Sequence, residues 1–97
     1  MKIAIDCGYH KDIISIPDHI GTNLEDLIHK FDEWIYDKNN DHEFWIYVDG
    51  EKRAVEVGTD SFLEYLNKYQ LCYSKEKAYI VHKELQEIPE GMPVMQL

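Results

Sequence analysis

The sequence predicts an α+β domain in which two helices pack on one face of a mostly antiparallel sheet. Three observations support this two-layer fold: short segments alternate apolar and polar residues, two longer segments carry apolar residues at helical spacing, and turn signals separate them. The resulting element order is β-β-α-β-β-α-β over 97 residues. A chain of this length makes one domain. We assign that domain to 1–97, with a folded core over 1–87 and an apolar tail or arm over 88–97.

The first two strands form a predicted hairpin. In the segment 2–7, Ile3, Ile5 and Cys7 project to one side of the strand. A turn over 8–11 leads to a second strand over 12–16, which is rich in β-branched isoleucine. Adjacent strands joined by a short turn favour a hairpin.

The first helix has the clearest signals. Thr22 and Glu25 match a capping box, in which Thr22 caps the helix and Glu25 reaches back to the Thr22 N–H. The Asn-Asn-Asp run at 39–41 should end it. Apolar residues at spacings of three and four form one stripe: Leu24, Leu27, Ile28, Phe31, Trp34 and Ile35.

A second hairpin and a second helix follow. The strand over 43–48 is joined to a strand over 53–57 by Asp49-Gly50, the favoured pair for a type I′ turn. The second helix has Thr59, Asp60 or Ser61 as its cap, and Ser61 with Glu64 would make another capping box. Its predicted buried stripe consists of Phe62, Tyr65, Leu66 and Tyr69.

The C-terminal part contains one more predicted strand, over 78–83. The last ten residues, 88–97, hold two prolines and a glycine among apolar residues, which predicts no regular element there. We expect this segment to be either a flexible tail or an arm packed on a neighbour.

Charge is the main functional signal. Nineteen Asp and Glu oppose ten Lys and Arg, a net charge of −9. Such a surface opposes direct DNA or RNA binding, because phosphate contacts demand cations. It favours a partner that is a basic protein, or one that normally holds nucleic acid. An aromatic fraction of 12% distinguishes the chain from disordered acidic tails.

The acid is concentrated between 25 and 43, where Lys30 and Lys38 are the only basic residues. A solvated face that keeps the protein soluble is the alternative, although mixed charges would serve that purpose. We predict that seven acidic residues of this segment bind the partner: Glu25, Asp26, Asp32, Glu33, Asp37, Asp41 and Glu43.

The strand over 43–48 is apolar on both sides. Trp45 and Tyr47 face one side, whereas Phe44, Ile46 and Val48 face the other. Two short helices cover only one face of a sheet, so one set should form an exposed interface. We include Trp45 and Tyr47 in the partner-binding surface, and a homodimer is a further use of this face. The alternative is a central strand that the tail or a long loop covers.

No motif for catalysis, metal or cofactor binding is found. None of the five histidines has the spacing of a zinc site. Asp37, Asn39 and Asp41 match the first ligands of a calcium loop, but His42 replaces its glycine. Cys7 near His10 makes a weak nucleophile, since neighbouring aspartates oppose a thiolate. We expect a core cysteine, no enzyme, no metal and no cofactor.

Cellular location follows from the same composition. Cys7 and Cys72 form no C-x-x-C pair and predict free thiols in the cytoplasm, with a single disulfide between them as the alternative. The N-terminus does not match a signal peptide, and no apolar run approaches the roughly 20 residues that cross a membrane.

In size, acidity, aromatic content and lack of catalytic motifs, the chain resembles the small acidic proteins with which phages and mobile elements block host nucleases, anti-CRISPR proteins among them. The resemblance implies an inhibitor in the host cytoplasm that binds a nucleic-acid-handling protein, with imitation of nucleic acid as one route. An immunity protein against a basic toxin nuclease is the first alternative. Others are a homodimeric structural module and a small enzyme or ligand-binding domain that uses the Cys7/His10 region.

Overall fold

The computed structural model describes all 97 residues and has an α+β fold, as the sequence predicts. A short 3₁₀ turn over Asp18–Ile20 precedes the first helix, and a π-helical turn over Leu66–Gln70 extends the second. The main elements are β1 Lys2–Asp6, β2 Lys11–Ser15, α1 Leu24–Tyr36, β3 Trp45–Val48, β4 Glu51–Val55, α2 Thr59–Tyr65, β5 Tyr79–Leu85 and β6 Val94–Gln96.

The strands form two sheets instead of the single sheet that the sequence predicted. The main sheet has the order β5-β2-β1-β6, with antiparallel pairs except between β1 and β6. The strands β3 and β4 pair only with each other. A strand at the centre of a sheet is buried on both faces. Most residues of β3 and β4 are exposed or half-buried, as expected for strands outside the main sheet.

One hydrophobic core joins the main sheet to both helices. Alternation places Ile3 and Ile5 of β1 beside Ile14 of β2, and all three are fully buried. The core cluster comprises Ile3, Ile5, Ile14, Ile16, Leu27, Phe31, Trp34, Ile35, Phe62, Tyr65, Leu66, Leu71, Ala78 and Met95.

The predicted stripe of α1 is confirmed, but its cap is not. Four stripe residues are buried, and Leu24 and Ile28 are half-buried. The N-cap is Asn23, whose side-chain oxygen accepts the Asp26 N–H at 3.1 Å. The expected Thr22 lies one residue too early for this role, and its hydroxyl instead contacts the carbonyl of His19.

The second helix, in contrast, begins earlier than predicted. Gly58 is its N-cap, and the Ser61 hydroxyl accepts the Gly58 N–H at 3.0 Å. The expected capping box of Ser61 with Glu64 is therefore wrong, because Ser61 occupies the third helical position. Tyr69 is 48% exposed, against the prediction that it is buried, since the π-helical turn changes the helical period before it.

The type I′ turn between β3 and β4 is confirmed. Asp49 and Gly50 both have positive φ, 52° and 78°. This conformation matches the twist of the flanking strands and explains why Asp-Gly stands there.

The C-terminal segment is part of the fold. Residues Val94–Gln96 pair with β1 in parallel, with Met95 opposite Ile5 and 1% exposed. The expectation of a tail or arm without regular structure is therefore wrong. Both prolines of the segment precede the strand, and the Pro93 carbonyl accepts the Ala4 N–H.

Neither helix has the length and apolar character needed to span a membrane. Both cysteines are free thiols, as predicted.

Candidate functional site

The seven acidic residues predicted to bind a partner lie on the surface of α1 and on the loop that follows it. We call them the acidic surface. Within α1, Glu25, Asp26 and Glu33 are exposed and Asp32 is half-buried, on the side away from the apolar stripe. The remaining members, Asp37, Asp41 and Glu43, are exposed on the loop.

Three of these acids pair with a nearby lysine or histidine. Asp26 contacts Lys30 at 3.0 Å, and the hydrogen bond and charge of this carboxylate raise the Lys30 pKa. Glu33 contacts His29 at 2.8 Å. Glu25, Asp32, Asp37 and Glu43 have no cation within 4.0 Å, so most of the negative charge remains uncompensated.

The loop after α1 is fixed by side chains that bind the end of the helix. The Asn40 amide donates to the Trp34 carbonyl at 3.0 Å, and the His42 Nε2 donates to the Ile35 carbonyl at 2.8 Å. The His42 Nδ1 accepts the Phe44 N–H, which requires the neutral tautomer with its proton on Nε2. Sequence reasoning did not identify this structural role of His42, because its partners are backbone groups.

Lys52 of β4 attaches the second hairpin to this loop. Its ammonium donates to the Lys38 carbonyl at 2.6 Å and to the Asp41 carboxylate at 2.5 Å. Both the hydrogen bond and the charge of Lys52 lower the Asp41 pKa. The Trp45 Nε1 donates to the Asn40 carbonyl at 2.6 Å, and its ring stacks on His42. The acidic surface and the hairpin therefore form one connected unit.

The exposed residues of β3 differ from those predicted. Trp45 is only 8% exposed, so it supports the hairpin and is not a surface residue. Tyr47 is 56% exposed, as an interface would require, and Ile46 and Val48 are 41% and 49% exposed. The predicted alternation of β3 side chains assumed continuous pairing with β4. A register shift between Ile46 and Tyr47 interrupts that pairing. We call Ile46, Tyr47 and Val48 the apolar flank.

A second feature is a cleft of about 330 Å³ at the turn between β1 and β2. Cys7 packs against the core, as predicted, but it also lines this cleft together with His10 and Asp12. The metal-binding atoms of these three side chains all lie within 4.8 Å of one another. The sequence predicted no metal site, because the spacing of these residues matches no known motif.

Residues distant in the chain complete the cleft. The Thr59 hydroxyl donates to the Asp12 carboxylate at 2.5 Å and lies 3.6 Å from the Cys7 sulfur. The Glu84 N–H donates to the other Asp12 oxygen at 2.9 Å. Because Thr59 and Glu84 are 47 and 72 positions away from Asp12, no local pattern could reveal these contacts.

No protein-family model, no curated protein and no solved structure matches this chain. The acidic surface, the apolar flank and the cleft are therefore the basis for assigning a function.

Proposed function

We propose that the protein binds a basic, nucleic-acid-handling protein through the acidic surface and the apolar flank, and that it thereby blocks the partner's nucleic-acid site. The observation that carries this proposal is the rigid connection of mostly unpaired acids to an exposed apolar strand. The acidic surface would attract a basic partner, and the apolar flank would supply the area that is buried in the interface.

The acidic residues would accelerate association with the partner and select for basic partners. Complementary charge accelerates encounter and excludes acidic competitors. Five of the seven acids project from residues 25–37, which extend about 18 Å at the rise of an α-helix. Duplex DNA carries roughly one charge per 1.7 Å, or about ten over the same distance. Because Lys30 offsets one of the five charges, the acidic surface would imitate the sign and direction of a phosphate backbone at less than half its charge density.

The apolar flank would provide the buried centre of the interface. Aromatic residues are enriched where binding energy concentrates, and Tyr47 is exposed among two β-branched residues. The loop contacts of Asn40, His42 and Lys52 hold this flank in place before binding. Such preorganisation lowers the entropy cost of association.

The test compares two triple variants of equal net charge. The first, Asp26→Lys/Glu33→Lys/Asp37→Lys, lies on the acidic surface. The matched control, Glu76→Lys/Glu87→Lys/Glu90→Lys, changes exposed acids elsewhere in the chain. Each triple moves the net charge from −9 to −3, since each change adds two units. Exposed charges contribute little to stability, so both variants should fold, which thermal unfolding checks.

The partner is captured from host lysate on immobilised wild-type protein, identified and purified, and association rates are measured by surface plasmon resonance. We expect the acidic-surface triple to associate roughly tenfold or more slowly at low salt, with a smaller difference at high salt. The control triple should remain near wild type. Equal slowing of both variants would show a net-charge effect without a binding site. If the acidic-surface triple associates at the wild-type rate, the acidic surface contributes to solubility and not to binding.

Inhibition is measured separately, by displacement of labelled duplex DNA or RNA from the purified partner. We expect wild-type protein to release the nucleic acid. A complex of partner, nucleic acid and this protein would contradict inhibition and indicate scaffolding. The identity of the purified partner, a host nuclease or a toxin nuclease, distinguishes the two inhibitor classes.

A further inference from the structure

The cleft brings together three side chains of metal-binding chemistry. Cys7 follows β1, His10 precedes β2 and Asp12 belongs to β2. The turn between them is closed by a hydrogen bond from the Cys7 N–H to the His10 carbonyl at 3.0 Å. Gly8 has a φ of +94°, which favours glycine, and its N–H binds the Asp6 side chain. The turn is therefore fixed, and its short length places the thiol and imidazole beside Asp12.

The Asp12 carboxylate is buried beside the other two side chains. Its side chain is 7% exposed, and the only basic side chain within 4.0 Å is the imidazole of His10, at 3.5 Å. No Lys or Arg neutralises it. Buried carboxylates are normally paired with a charge or coordinate a metal.

The carboxylate is held in one orientation. The Thr59 hydroxyl binds one oxygen and the Glu84 N–H binds the other. The pairing of β2 with β5 shifts register around Asp12, and Glu84 has a φ of 57°, which is strained for a residue other than glycine. Bulges often occur beside functional sites, and hydrogen bonds that orient a ligand are typical of metal centres.

We propose that Cys7, His10 and Asp12 bind one zinc ion, with a water or small ligand from the cleft at the fourth position. A thiolate, an imidazole and a carboxylate suit zinc, and three protein ligands with an open position are typical of its reactive sites. Ideal zinc bonds of about 2.0–2.3 Å place the ligand atoms roughly 3.3–3.8 Å apart. The His10 and Asp12 atoms already lie 3.5 Å apart, and the half-buried Cys7 and His10 can close the remaining distance.

The surroundings favour a cation. Glu56, Asp60 and Glu84 line the cleft, against a single cation, Lys83. A coordinated metal removes the Cys7 thiol proton, which passes to solvent.

The experiment titrates the reduced, metal-free full-length protein with Co²⁺ as a spectroscopic probe and then displaces it with Zn²⁺. We expect one Co²⁺ per chain, with the charge-transfer band of a thiolate–cobalt bond. Cys7→Ser should abolish that band, and Cys7→Ser and His10→Gln should each weaken zinc binding by roughly 100-fold or more. Thr59→Val should weaken it by about tenfold while the band remains, because Thr59 orients a ligand without touching the metal.

Matched controls use a cysteine and a histidine outside the cleft. Cys72→Ser and His29→Gln change exposed residues and should leave the band and the affinity at wild-type values. Thermal unfolding of every variant separates lost binding from lost folding. Absence of a cobalt–thiolate band in the wild type would overturn the proposal, as would a band that depends on Cys72 in place of Cys7. This result is independent of partner binding, since no ligand of the cleft belongs to the acidic surface.

Discussion

At the scale of single residues, Trp34 shows how much one side chain contributes to the core. Trp34 belongs to the apolar stripe of α1 and packs against a group of aromatic rings. Its ring centroid lies 4.7 Å from that of His42 and 5.4 Å from that of Tyr65. Its indole N–H is buried without a hydrogen-bond partner. The side chain is thus held by packing alone, and its unpaired N–H detracts from stability.

Trp34→Ala should destabilise the protein by roughly 3–5 kcal/mol, because it deletes a large buried side chain and leaves a cavity. Trp34→Phe should cost less, since it also removes the unsatisfied N–H. Equilibrium unfolding in urea measures both changes. Tyr36→Ala, at a position 60% exposed on the same helix, is the control and should stay within about 0.5 kcal/mol of wild type. An unchanged midpoint for Trp34→Ala would show that this helix face is not buried.

At the scale of elements, the second hairpin is attached by a few polar contacts in addition to the packing of Phe44 and Val55 against the core. Its strands make no hydrogen bonds to the main sheet, and a two-stranded hairpin is marginal by itself. The Lys52 ammonium binds the carbonyls of Lys38 and Asn40 and the Asp41 carboxylate. Lys52 is half-buried, with its side chain 15% exposed, whereas Asp41 is exposed.

Lys52→Met should therefore loosen the hairpin while the main sheet stays intact. We expect amide exchange in β3 and β4 to accelerate roughly tenfold, as for the loss of one charged hydrogen bond. Lys38→Met removes the same charge from an exposed side chain without an ion pair, and should leave exchange unchanged. Uniform acceleration across both sheets would contradict a local role for Lys52.

The same contact has a pH dependence. Lys52 lowers the Asp41 pKa below its ordinary value, so the ionised carboxylate favours the folded state. This contribution is present above the ordinary carboxyl pKa and is lost as pH falls through the lowered one. The stability difference between wild type and Asp41→Asn, measured across pH 2–7, should shrink on acidification, below about pH 4. A difference that stays constant would exclude this linkage.

At the scale of the whole molecule, the protein is extended in shape and negative in net charge. The protein measures 44 × 33 × 20 Å, and its radius of gyration of 13.8 Å exceeds the roughly 12.5 Å of a compact chain of this length. A hairpin outside the main sheet is consistent with this extension. The net charge of −9 makes negative charge predominate over the molecule as a whole.

The protein should therefore fail to bind plain duplex DNA at physiological salt, because its net charge of −9 repels the phosphates and phosphate contacts demand cations. A mobility-shift assay at micromolar protein tests this. The acidic-surface triple variant, still at −3, should also leave the duplex unshifted. A shifted band with wild-type protein would contradict the interpretation of the acidic surface as a site for proteins.

Local patterns determined much of the fold. The α+β class, the stripe of α1, the first hairpin and the Asp49-Gly50 turn follow from periodicity and from backbone preferences of individual residues, which act over only a few positions. The exposed acids of α1 follow from the same periodicity, since they fall opposite the apolar stripe. Only the roles of these acids remain a prediction.

Tertiary structure alone decided the rest. The sequence of the last ten residues could not show that Met95 would complete the main sheet, because its partner Ile5 lies 90 positions earlier. Nor could it show that Trp45 would turn inward, that His42 would bind the end of α1, or that Asp12 would meet Thr59 and Glu84. Each of these contacts joins segments that only folding brings together, and their geometry depends on packing that no local propensity encodes.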